Sequence, residues 1–275
     1  MFNFKTRTRI LITSVTLTLG FIILQQIDFR AYLAPTLNFD PIKPIILSLV
    51  AYAMCYWVLH FKVTGERFFT VLLFPAISVF ALTLLMEILI SGMFTGFGQW
   101  GLLILSSIFF WILNYITILT INVLNVSYLK EIPLGQAGRA SQFVLTMLIA
   151  YISYFMLFSN EIIFGIKILM ILFLTFLLVY ISLWSIRMSK RQRVLASFDI
   201  SILITLLGFI LNIWPINSTY IALVLVLVLY SCLGIALEIR DIINRVIWVE
   251  YVSLLVLIFL TLFFLAEWGI NGHLL

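Results

Sequence analysis

The sequence predicts an all-α, polytopic integral membrane protein of about nine transmembrane helices, with the N-terminus inside and the C-terminus outside. Three observations lead there. First, of 275 residues 64% are hydrophobic and 10% are charged, against roughly 25% charged in soluble domains. The mean hydropathy is +1.22, so there is too little polar surface to face water. Second, apolar runs of spanning length recur along the chain. Third, the basic residues fall almost entirely in every second connection.

Crossing the hydrocarbon core takes about 20 apolar residues per helix. Nine segments qualify, at 10–27, 44–61, 68–92, 100–125, 143–158, 162–186, 196–214, 220–237 and 246–266. The first follows Lys5, Arg7 and Arg9, as the apolar core of a signal peptide would. It is long for that role and ends at Gln25-Gln26-Ile27 without a small-x-small cleavage site, so it is expected to be retained. The third contains Pro75, which removes a backbone hydrogen bond and predicts a kink. Between the third and fourth, Gly92, Gly96, Gly98 and Gly101 read as a tight aromatic hairpin at the interface. The fifth segment is the shortest. The longest connections, 28–43 and 126–142, are too short for a soluble domain, so residues 1–275 are expected to form one membrane domain. Segments 1–4 and 6–9 share no residue-level similarity that would mark an inverted repeat.

Orientation rests on Arg187–Arg193 (RMSKRQR), the densest basic run. Basic connections stay on the cytoplasmic side. With that run inside, so are Lys5, Arg7, Arg9, Lys62, Arg67, Lys130, Arg139, Arg240 and Arg245, giving 13 of the 16 Lys and Arg residues. Only Arg30 and Lys43 fall outside, and Lys167 lies within a span. Tryptophan prefers the head-group level. Trp57, Trp184 and Trp248 fall near expected inner ends, and Trp100, Trp214 and Trp268 near outer ones.

Ionisable groups inside spans are informative because each costs about 2.5–3.5 kcal/mol at a helix centre on translocon scales. Glu87 and Lys167 have opposite charges and similar expected depths, so they are expected to pair, as a helix-fixing ion pair or as a relay for protons or substrate. Asp199 lies within reach of Arg193, and Glu250 could snorkel toward Arg245. On the fourth segment, Asn114, Thr117 and Asn125 share one face, with Asn122 at its edge. That face reads either as interhelical hydrogen bonding or, with Asp199 opposite, as a polar path open to the inside. The inner connection 127–142 (SYLKEIPLGQAGRASQ) predicts an interfacial element. Its Lys130, Pro133 and Arg139 are either a rest on lipid phosphates or a cytoplasmic docking loop for a protein partner.

Several classes are disfavoured. The net charge of +5 follows from the cytoplasmic loops and anionic head groups rather than from nucleic acid. Cys55 and Cys232 lie in apolar segments and read as small core residues. Two histidines, His60 and His273, supply neither paired haem ligands nor a metal cluster. No Walker loop, serine-hydrolase elbow or paired Asp motif is present, so no catalytic residue, cofactor or metal is expected. The leading expectation is a permease or membrane subunit of a transport system in the cell membrane. The alternative is a non-catalytic scaffold of an envelope or secretion assembly, and an intramembrane enzyme acting on lipid ranks third. The lipid bilayer is the one partner expected in every case.

Overall fold

The computed structural model describes residues 6–27, 42–59, 65–93, 97–129, 134–160, 162–184, 188–214, 216–238 and part of 249–260. These are almost entirely helical. The helices are α1 (Thr6–Gln25), α2 (Ile42–Val58), α3 (Glu66–Met93), α4 (Phe97–Leu129), α5 (Leu134–Ser159), α6 (Phe164–Trp184), α7 (Lys190–Ile213) and α8 (Ser218–Glu238). A last helical stretch is described at residues 249, 251–253, 255–257 and 260. Each of the first eight apolar segments is therefore a helix. Among the described residues seven helices are long and apolar enough to cross a membrane; α2 is apolar but has only 17 residues.

The helices outrun the apolar segments at their polar ends. α7 begins six residues before its expected span because Ser189 and Gln192 form a capping box. The Gln192 backbone N–H donates to Ser189 Oγ at 3.3 Å, and the Ser189 N–H donates to Gln192 Oε1 at 3.4 Å. α2 takes in Lys43 and Pro44 at its start. Proline is tolerated there because first-turn N–H groups have no intrahelical acceptor. α3 runs unbroken through Pro75. It is preceded by Gly65 at φ +66°, a left-handed turn position that glycine adopts without strain.

The largest departure lies between α4 and α5. The expected interfacial element at 127–142 is mostly continuous with the flanking helices: α4 continues to Leu129 and α5 starts at Leu134. A Cβ on Gly135 would stand 2.9 Å from Ser127 Oγ, and one on Gly138 would stand 3.1 Å from Val123 Cγ1. The two glycines let the helices close into a hairpin. With 33 residues, α4 is about 50 Å long, against about 30 Å of hydrocarbon.

The chain divides into two compact units, Met1–Leu145 and Thr146–Leu275, with the boundary inside α5. In the first unit α1 packs on α2 and α4, α2 on α3, and α3 on α4, a ring of four helices. Leu17 and Phe21 of α1, Ala51 and Cys55 of α2, Leu72 and Val79 of α3, and Phe110 and Ile118 of α4 are buried. Phe21 stacks on Phe110 with ring centroids 4.7 Å apart. In the second unit α6 and α7 form the principal pair, closed by Gly208 against Ile171, with α8 against both. A seam of hydroxyls ties α5 to α6: Thr146 Oγ1 lies 3.0 Å from Ser182 Oγ, and Tyr154 Oη lies 2.7 Å from Thr175 Oγ1. Gly234 of α8 makes room for the ring of Tyr251, which also faces Tyr230.

Candidate functional site

The polar groups inside the first unit gather in three places. Near the start of α1, Arg9 is buried, donates to the Trp57 carbonyl at 3.1 Å and lies over the Trp57 ring. At the opposite end of the helices, Lys43 Nζ of α2 stands 3.6 Å from Glu87 Oε1 of α3, both side chains about nine-tenths buried. One turn along α3, Ile90 lines a small cavity of about 120 Å³ with Gln25, Gln26, Trp100 and Leu103. Its wall is mostly polar, and Gln25 Nε2 is buried there without a hydrogen-bond acceptor. It has room for several waters.

The third place is the polar face of α4. Asn114 and Thr117 are buried, and both bond back into their own helix. Asn114 Nδ2 donates to the Phe110 carbonyl at 2.9 Å and Thr117 Oγ1 to the Leu113 carbonyl at 2.7 Å. Ser78 Oγ of α3 reaches Thr117 Oγ1 at 3.5 Å. Asn125 is buried near the hairpin and Asn122 is half-buried. Back-bonding of this kind gives a buried hydroxyl or amide N–H an acceptor on its own helix.

In the second unit, Lys167 of α6 is buried between Asn212 Oδ1 of α7, at 3.4 Å, and the Phe158 ring of α5, 5.3 Å from its Nζ. Arg193 is also buried; it donates to the Met188 carbonyl at 3.2 Å and lies over the Tyr180 ring. Asp199 is exposed and lines an open, almost wholly aliphatic groove of about 560 Å³ with residues of α7, α8 and the last helical stretch.

Each inside its own unit, the Glu87 carboxylate has Lys43, and the Lys167 ammonium has an amide oxygen and a ring. The sequence reading put Lys43 in a connection because it precedes Pro44, and so overlooked a cation inside α2. The remaining path residues divide, with Asn114, Thr117, Asn122 and Asn125 in the first unit and Asp199 in the second. Arg139 is exposed on α5 rather than in a loop. Lys130, Pro133, Glu250's side chain and most of the ninth segment lie outside the described residues. Gln25, Arg9 and Asn212 were missed as well. The first two sit at helix ends where hydropathy is uninformative, and Asn212 is one polar residue near the end of an apolar run.

The chain matches the family described as Protein of unknown function (DUF5656) over residues 62–265, most of its length. The chain belongs to this family. The DUF5656 match includes Glu87, the α4 polar face, Lys167, Asp199 and Asn212, whereas Arg9, Gln25 and Lys43 precede it. No curated protein and no solved structure matches the chain.

Proposed function

We propose that this chain is a permease or membrane subunit of a transport system, lying in the cell membrane with its N-terminus inside. The orientation is supported by the placement of 13 of 16 basic residues in alternate connections. The transport reading rests chiefly on one observation: a buried Lys43–Glu87 pair one helical turn from a polar cavity. A buried ion pair beside a polar cavity large enough for water is where a proton or small polar solute is exchanged at low cost, because water and the opposite charge share the desolvation.

A scaffold is the second reading, favoured by the α4 face. Asn114 and Thr117 each donate to a carbonyl of their own helix, and Thr117 also meets Ser78 of α3, as structural glue does.

Reconstitution into liposomes separates the two. Proton and solute flux is compared for wild type, Glu87→Gln and Lys43→Met, alongside labelling of Gln25→Cys by a membrane-impermeant thiol reagent. Transport predicts labelling from the outer face and a flux that falls in both charge variants. No flux above empty liposomes, with Gln25→Cys protected, would leave the scaffold reading in place.

A further inference from the structure

We propose that the polar cavity at Gln25 binds a small uncharged polyol, a solute of the size of glycerol. This names the solute for the transport reading and rests on that reading for the solute's passage. The cavity lies within the first unit. Its wall is made by Gln25 and Gln26 at the end of α1, Ile90 in the last turn of α3, and Trp100 and Leu103 in the first turns of α4. Exposure grades that wall. Gln26 and Trp100 are exposed, Gln25 is half-buried, and Ile90 and Leu103 are buried. The two amides and the indole form a rim, and two aliphatic side chains form a floor.

The chemistry of the wall selects the solute. None of its residues carries a charge, and the charges one turn along α3, Lys43 and Glu87, face each other at 3.6 Å. An ion entering the cavity gives up water and meets no opposite charge in the wall. An uncharged solute does not incur that loss. A carboxamide offers both donors and an acceptor, and a hydroxyl complements it in both senses. Gln25 Nε2 is buried without an acceptor, so a hydroxyl oxygen supplies the bond it lacks. The carbon frame of a polyol packs on Ile90, Leu103 and the Trp100 ring, contacts that water alone leaves unmade. The volume of about 120 Å³ is that of about four waters at roughly 30 Å³ each, enough for glycerol.

The test uses the full chain reconstituted in liposomes. Leu103→Cys places a thiol on the cavity floor, and a small methanethiosulfonate reagent reports its accessibility. Glycerol is expected to slow that labelling with saturation, whereas lactate, of similar size but charged, should not. Adding Gln25→Leu should raise the half-protecting glycerol concentration about 3- to 10-fold, as the loss of one hydrogen bond does. It should not lower the unfolding temperature, because leucine leaves no buried donor unmet. Glycerol-driven swelling should exceed that of empty liposomes and fall in Gln25→Leu. No protection, protection that never saturates, equal protection by lactate, an unchanged response in Gln25→Leu, or a thiol that takes no label would each overturn the inference. If glycerol neither protects nor crosses while proton flux falls in Glu87→Gln, the polyol is wrong and the transport reading stands. If glycerol protects but neither it nor protons cross, the binding site stands and the transport reading falls. If nothing protects and nothing crosses, both fall.

Discussion

Replacing Lys43 by Met tests the buried ion pair most directly. The Nζ–Oε1 separation is 3.6 Å, and at an effective dielectric near 20 two unit charges so placed attract by about 4–5 kcal/mol. The net value of the pair is smaller, because both groups gave up solvent. Removing one partner, however, leaves the other charge buried without that counter-ion, which costs about 3–5 kcal/mol. Lys43→Met and Glu87→Gln are therefore both destabilising, Glu87→Gln less so because its amide still forms hydrogen bonds. The double variant should be less damaged than the sum of the two by at least about 2 kcal/mol. At about 2–4 °C per kcal/mol, Lys43→Met should lower the unfolding temperature in detergent by about 6–20 °C, followed by intrinsic tryptophan fluorescence. Lys167→Met, whose partners are an amide oxygen and a ring, should add to Glu87→Gln without coupling. Additive losses from Lys43→Met and Glu87→Gln, or coupling of Glu87 to Lys167 instead, would refute the argument.

Other outcomes follow from the same structure. Tyr154→Phe should cost about 1 kcal/mol and show a coupling of about 0.6–1.7 kcal/mol with Thr175→Val in a double-mutant cycle of thermal unfolding. Gly234→Ala places a methyl against the Tyr251 ring and should destabilise by about 1–3 kcal/mol; Tyr251→Ala should relieve it, read as recovery of the unfolding temperature. Gly138→Leu should force α4 and α5 apart at Val123 and Leu124, costing about as much and raising protease sensitivity in that connection. Asn114→Cys should resist impermeant and permeant maleimides alike, since its site is buried and dry, whereas Arg139→Cys, exposed on α5, should react readily.

Hydropathy made most of the helices legible, because a span must be apolar over a length set by the bilayer. Eight of the nine expected segments correspond to helices whose cores coincide with the apolar runs. Helix ends were harder. A capping box at Ser189, a proline in the first turn of α2 and a glycine-mediated contact at Gly135 and Gly138 all extend helices into polar sequence, and hydropathy is blind to each. The candidate site was less legible for the same reason. Lys43 looked like a loop residue, so the cation that stands 3.6 Å from Glu87 was not considered as its partner. Periodicity did place Asn114 and Thr117 on one face. It did not show that their polar atoms turn back onto carbonyls of their own helix, which depends on side-chain rotamers rather than spacing.

The α4–α5 hairpin has a mechanical consequence. A flexible cytoplasmic loop absorbs a push at its tip by changing shape. α4 and the start of α5, in close contact at Gly135 and Gly138, move together instead. Tilt or rotation of α4 is then felt where its Phe110 stacks on Phe21 and where its Thr117 meets Ser78. The start of α5 is thus coupled through α4 to the four-helix ring.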